Sequence, residues 1–288
     1  MQSGGAIIWP EAAMVHFDVF MLRHDRRKAV TSGPLIRQRP LRTAGQSLEE
    51  GITELRVARK ALAVIGIFVT LILLLSWWDF ARPPTAIGLF RKAIFLSIFF
   101  VAYGGFLAVV HRRLGIMQRN KELGRAGELI VGQALDALRA DGYHVFHDVR
   151  ADYGNIDHVV AGPGGIFAVE TKMRSKRQGD RIIFEGSNLF LGKHSNQEAV
   201  DQVKMQSDWL RRRLAKSTSH DFPVHPILVY PGWYIEDGFR HDLWVLNENS
   251  IVTTLRKRQA SLAHEDVALV ADRLELYARD SNSPRLNK

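Results

Sequence analysis

The 288-residue chain contains no cysteine, which excludes a disulfide framework and is compatible with a reducing compartment. It also lacks a phosphate loop, a dinucleotide fingerprint and a nucleophile elbow, and no internal repeat is apparent. Its histidines, among them His144, His147, His194, His220, His225 and His241, show no metal-ligand spacing. What is missing most conspicuously is charge, and only locally. Residues 61–78 (ALAVIGIFVTLILLLSWW) and 93–110 (AIFLSIFFVAYGGFLAVV) contain no ionisable acid or base.

Each of these runs matches the length that crosses a hydrocarbon core of ~30 Å as a helix. A signal peptide would lie at the extreme N-terminus, and the first run starts at residue 61. Two membrane spans are therefore expected, with Trp77 and Trp78 at a headgroup level and a short turn through Pro83-Pro84. Arg56, Arg59 and Lys60 before the first span, and Arg112, Arg113, Arg119, Lys121 and Arg125 after the second, outnumber Arg82, Arg91 and Lys92 between them. The positive-inside rule places both termini in the cytoplasm, so a two-span protein of the inner, cytoplasmic membrane is expected. No ionisable group inside either span argues against a transport path. Gly104-Gly105 marks close helix packing, within the hairpin or between copies.

The net charge of +9 is concentrated in the same region. Residues 1–115 carry 15 Lys and Arg against 7 Asp and Glu, while residues 116–288 carry 24 against 23. The basicity thus serves an anionic bilayer more than a nucleic-acid face. One local cluster, Lys172-Met173-Arg174-Ser175-Lys176-Arg177, is placed to meet a phosphate backbone.

Residues 1–46 read as a disordered tail. Residues 47–115 form a juxtamembrane helix, opened by a Ser47/Glu50 capping box, and the two spans; residues 116–288 form a cytoplasmic domain. In that domain Gly124–Ala140 has helical periodicity and Asp141-Gly142 ends it. Tyr143–Val149 alternates as a strand. Residues 179–192 read as a short extra hairpin turning at Gly186-Ser187-Asn188, and Asn196–Leu214 as a helix whose apolar face includes Ala199, Val203, Gln206, Leu210 and Leu214. Val224–Tyr230 and Leu243–Leu246 are strands, and Asp266–Tyr277 is a closing helix.

Between them lies NIDHVVAGPGGIFAVETK. Strand Ile156–Ala161, turn Gly162–Gly165 and strand Ile166–Lys172 pair Ala161 with Ile166, Val159 with Ala168 and Asp157 with Glu170. Alternation puts Ile156, Val160, Phe167 and Val169 on one face and Val159, Ala161, Ile166 and Ala168 on the other. Two opposed carboxylates repel, and a divalent cation between them would remove the penalty. Lys172, on the same face as Glu170, can orient a metal-bound water or offset charge on a phosphate. His158 points the other way and reads as a packed histidine. An isolated acid pair beside a lysine is more often a solvated hairpin end, but apolar residues on both faces make uncompensated charge expensive here.

The α-β-β-β-α-β order with this acid set resembles the restriction-endonuclease-like core. Gly127-Glu128, Gly154-Asn155-Ile156-Asp157-His158, Gly164-Gly165-Ile166-Phe167, Glu170-Thr171-Lys172 and Gln202 resemble the nuclease-related domain family, over residues about 120–232. The resemblance implies a mixed α/β sheet and a nuclease site of Glu128, Asp157, Glu170 and Lys172. It implies Mg2+, or Mn2+, held by Asp157 and Glu170 with the Thr171 carbonyl, and Glu128 holding a water or a second metal. DNA is the implied substrate, gripped by Arg174, Lys176, Arg177 and Gln202. Asn-Pro is common in the family four and three residues ahead of the Gln, where this chain has Glu198-Ala199. A different reading of the same fold is a non-catalytic membrane adaptor that binds a protein partner or nucleic acid.

Overall fold

A computed structural model describes residues 41–80, 86–152, 154–174, 181–185, 188–192 and 194–281. The tail through residue 40 and the turn at Pro83-Pro84 lie outside these residues.

Helix α1 (Gln46–Phe80) carries the first apolar run, and α2 (Ala86–Asp136) carries the second. Both are long and apolar enough to cross a membrane. Val64, Ile65, Phe68 and Leu71 on α1, and Phe95, Ile98, Val101 and Phe106 on α2, are each more than half exposed. The helix expected to start at Gly124 is not a separate element. Instead α2 runs unbroken for 51 residues from the apolar segment into the domain. No proline interrupts it, and interior glycines, at about 1 kcal/mol each, do not break a helix that packing supports. It ends in a 3-10 turn (Ala137–Asp141) capped by Gly142 in the left-handed region, φ 81°.

Gly104 and Gly105 have nothing within 4 Å of where a Cβ would stand, so they mark no close packing inside the hairpin. The close approach is at Gly66, whose Cβ would lie 3.1 Å from Leu107 Cδ1. Beyond the apolar part, polar side chains join the two helices: Arg59 Nη1 to Gln118 Oε1 at 2.8 Å, Arg56 Nη2 to Glu122 Oε1 at 3.0 Å and Arg125 Nη2 to Glu49 Oε2 at 3.0 Å.

The domain is built on a six-stranded mixed sheet. Strands β1 (His144–Ala151), β2 (Gly154–Gly162) and β3 (Gly165–Thr171) form an antiparallel meander. A separate small sheet follows, made of β4 (Ile182–Glu185), β5 (Asn188–Leu191) and β6 (His194–Ser195). The expected extra hairpin is thus part of a three-stranded unit, and its turn lies partly outside the described residues.

Helix α3 (Gln197–Thr218) then crosses over to β7 (Val224–Val229), which lies parallel to β3. Strands β8 (Phe239–Arg240) and β9 (Leu243–Leu246) complete the order β1-β2-β3-β7-β9-β8. Helices α4 (Glu248–Lys257) and α5 (His264–Ser281) close the domain. The α2-β1-β2-β3-α3-β7 order is the αβββαβ arrangement expected for a nuclease-like domain.

Three layers result. One sheet face packs Val159, Ala161, Ile166 and Ala168 against Trp209, Leu210 and Leu214 of α3 and Val270 and Leu274 of α5. The other packs Val160, Phe167 and Val169 against Val131 and Leu135 of α2 and Ile251 and Leu255 of α4. One expectation fails. Ile156 lies with Val159 and Ala161, not with Val160. The ladder between β1 and β2 passes from the pair His147/His158 to the pair Val149/Ile156, skipping Asp148 and Asp157. Asp148 adopts φ 52°, a left-handed conformation uncommon for a non-glycine residue. Alternation changes phase at that step, so Phe146 and Val149 share one core.

His158 is buried, and His147 and His225 are half-buried. His158 Nδ1 meets His147 Nδ1 at 2.9 Å, and His147 Nε2 meets Asp136 Oδ1 at 3.3 Å. Burial, with the neighbouring His147, holds His158 well below its ordinary pKa, and burial lowers His147 too. His225, packed against Trp244 with ring centroids 4.2 Å apart, is pushed down to about 4, chiefly by burial and then by Arg258. Such groups take up protons more readily when unfolded, so their contribution is complete above pH 6.5 and is lost as pH falls toward the folded value. Between pH 7 and pH 5 the thermal midpoint of the wild type in detergent should fall further than that of His225→Gln. Equal falls would mean that the folded ring protonates as readily as the unfolded one.

Candidate active site

The β2–β3 ladder is regular from Gly162/Gly165 to His158/Val169, with Ala161 opposite Ile166 and Val159 opposite Ala168 as expected. The same register brings Asp157 opposite Glu170, just past the last ladder pair. There the backbone bond is replaced by a side chain: the Thr171 N–H donates to Asp157 Oδ2 at 2.7 Å. The two acids therefore sit where the hairpin opens, at the end of the sheet that α2 passes.

Glu170 is 3% exposed, and both of its oxygens accept hydrogen bonds. Its Oε1 accepts from Lys172 Nζ at 2.6 Å and from Gln202 Nε2 at 2.8 Å, and its Oε2 accepts from Gln206 Nε2 at 2.8 Å. Lys172 Nζ also donates to Gln202 Oε1 at 2.8 Å. An ammonium has three donors, so two are committed and one is left for a water or a phosphate oxygen. Gln202 is thus no surface amide; it bridges the acid and the lysine from α3. Gln206, read from its spacing as part of the apolar face, is buried and also donates to the Asn155 carbonyl at 3.0 Å.

Glu128 comes to the same place from α2. With Asp157, Glu170, Thr171 and Lys172 it lines a cleft of about 540 Å³, whose opposite wall includes Ser47 and Leu48 of α1 and Asn120 and Gly124 of α2. Arg174 stands exposed at its edge. Lys176 and Arg177 lie outside the described residues.

The charges are poorly balanced. Three carboxylates share a single lysine that is bonded to one of them. Burial, then the charges of Glu170 and Glu128, raise Asp157 well above the usual carboxylate range, against the opposing Thr171 amide and Lys172. Glu128 is pushed up to about 7, first by burial and then by Asp148 and Glu170, while the Gly45 backbone amide and Lys172 pull it down. Carboxylates that resist ionisation in a polar cleft are the donor set a hard cation would satisfy. Among the described residues no group of three or more His, Asp or Glu side chains is placed to hold a metal ion. Magnesium does not require one, because it takes one or two carboxylates and keeps several waters. One or two of the carboxylates in this cleft, together with water, would meet that demand.

Asp148 is the residue the sequence reading missed. It is 2% exposed and accepts from Arg42 Nε at 2.7 Å, the Ser47 N–H at 2.8 Å and Asn155 Nδ2 at 2.6 Å. The Ser47/Glu50 capping box is not formed; the first turn of α1 is capped instead by Asp148, 101 residues away. Glu50 accepts from Arg42 and Gln46. Residues 41–45, assigned to the tail, are packed: Leu41 rests on the first core and Arg42 is 8% exposed. A carboxylate inside the alternating strand YHVFHDV, and an amide on the apolar face of α3, were the signals available.

Residues 123–231 match the nuclease-related domain family, NERD. No curated protein and no solved structure matches the chain. The segment that supplies Glu128, Asp157, Glu170, Lys172 and Gln202 thus matches the nuclease-related domain family, and the chain also carries two helices long and apolar enough to cross a membrane.

Proposed function

We infer that this protein is a membrane-anchored, metal-dependent nuclease that hydrolyses phosphodiester bonds in DNA, with both termini in the cytoplasm. The observation that carries the reading is the convergence of Asp157, Glu170 and Lys172, from one hairpin, with Glu128, from α2, on a single cleft, where Gln202 of α3 bonds both Glu170 and Lys172. Asp157 and Glu170, with the Thr171 carbonyl, would hold Mg2+ or Mn2+, and Glu128 would hold a water or a second ion. When bound, such an ion supplies Lewis acidity and lowers the pKa of its water.

The chain's own groups do the positioning. Gln202 and Glu170 fix the Lys172 ammonium, whose uncommitted N–H orients the attacking water and offsets charge growing on the phosphate. Gln206 holds Glu170 from behind so that its carboxylate keeps one orientation. Arg174 at the cleft edge, and Lys176 and Arg177 after it in sequence, would supply positive charge for the phosphate backbone. The uncharged spans serve as the anchor.

With the full chain in detergent, plasmid and magnesium, Glu170→Gln and Lys172→Ala should each lower cutting by about 10²–10³-fold. No cutting by the wild type, or equal cutting by all three, would favour the adaptor reading. The full chain is required, because a fragment starting after the hairpin would strip Asp148 of Arg42 and Ser47.

A second expectation concerns stability. Asp157→Asn keeps the acceptor for the Thr171 amide but removes a charge that burial and two neighbouring acids oppose. Without metal at pH 7.5 the variant should be more stable than the wild type by about 1 kcal/mol, while losing cutting. Added magnesium should raise the thermal midpoint of the wild type and leave that of the variant unchanged. A variant less stable than the wild type without metal would show that Asp157 is already compensated.

A further inference from the structure

The segment ahead of α1 packs beside the cleft, which Ser47 and Leu48 of the first turn of α1 line, although in sequence it lies on the far side of both apolar helices and outside the family-matched segment. It crosses α2 where Gly132 leaves room: a Cβ there would stand 2.8 Å from Ala44 Cβ. Gly45 turns with φ 68° against Arg125, a conformation and an approach that favour glycine. Its backbone amide lies close enough to Glu128 to lower that acid's pKa. Arg42 then pairs with Asp148 at 2.7 Å, both side chains at most 6% exposed, and the Ser47 N–H joins the same carboxylate oxygen.

From Asp148 the bonding continues into the acid cluster. Its other oxygen accepts from Asn155 Nδ2, the Asn155 carbonyl accepts from Gln206 Nε2, and that amide also donates to Glu170. The left-handed backbone of Asp148 and the missing ladder pair between Asp148 and Asp157 lie at the same step. The strand thus departs from regular pairing where the carboxylate turns to meet the segment from before α1.

We propose that Asp148 is the positioning residue of this site and that it works through residues 42–47, so that the site is assembled from chain on both sides of the apolar hairpin. The proposal rests on the reading of the cleft as an active centre, but its structural part is measured without catalysis. Hydrogen exchange of the full chain in detergent would be compared for wild type, Arg42→Gln, Ser47→Pro and Tyr143→Phe. Ser47→Pro deletes the donor to Asp148 within the first turn of α1, where backbone N–H groups have no intrahelical partner to lose. It keeps the test open if Arg42→Gln fails to fold. Tyr143→Phe removes a bond to the Leu255 carbonyl at the other end of the sheet and reports general destabilisation.

Arg42→Gln and Ser47→Pro should quicken exchange of the Asn155, Asp157, Thr171 and Lys172 amides by about tenfold or more, leaving 159–161 and 166–168 as in the wild type. Plasmid cutting should fall by about a hundredfold. Tyr143→Phe should show neither change. Unaltered exchange at the four amides, a uniform increase across the sheet, or full cutting by the variants of an active wild type would overturn the proposal. If the local loosening appears but the wild type cuts nothing, the assignment of Asp148 stands and the nuclease reading falls.

Discussion

The structure depends on one buried carboxylate. Asp148 is out of water and accepts from a guanidinium, a backbone amide and a side-chain amide. A carboxylate so placed is tolerable only with such partners, and removing one from a buried ion pair costs about 3–5 kcal/mol. Its donors come from the segment before α1, from the first turn of α1 and from the start of β2. Three pieces of chain that hydrophobic patterning does not bring together are thereby held in one arrangement. The polar contacts further along the two helices, such as Arg56–Glu122 and Arg125–Glu49, are exposed, and each contributes at most about 1 kcal/mol. They keep α1 and α2 in register, while the buried pair fixes where the hairpin joins the domain.

The acid cluster shows the opposite balance. Glu170 has every donor it needs, whereas Asp157 and Glu128 are charged only against resistance. This asymmetry separates an acid already held in one orientation from two acids whose charge is left uncompensated. Glu170 is the fixed point, held by two glutamines one helical turn apart on α3, and Lys172 is fixed through it. Strain of this kind, retained in a cleft and offset by a well-packed sheet on either side, is typical of a site whose stability is subordinate to its chemistry.

Much of this was legible because it was local. The Gly162–Gly165 turn fixed the register that opposes Asp157 and Glu170, and the same arithmetic paired Val159 with Ala168. The helix from Asn196 could be read from the spacing of Ala199, Val203, Leu210 and Leu214, and the two spans from their lack of charge. What escaped had no local signature. The phase change that moves Ile156 to the other core depends on a positive φ at Asp148, and nothing short of the tertiary fold favours that in an aspartate. Arg42 looked like one more basic residue in a polar tail, since its partner lies 106 residues on. Gln206 was counted as filling a core stripe because periodicity records where a side chain points and not what it bonds.

The unbroken α2 has a further consequence. Between Val110, where the apolar run ends, and Glu128 lie 18 residues of continuous helix, a rise of about 27 Å. With the hairpin in a bilayer, that rod sets a short and nearly constant standoff between the lipid surface and the cleft. In that arrangement the cleft would sweep a thin layer parallel to the membrane, and encounter would become a search in two dimensions. Which molecules meet this site would be decided first by what comes within reach of that layer and only afterwards by what fits the cleft.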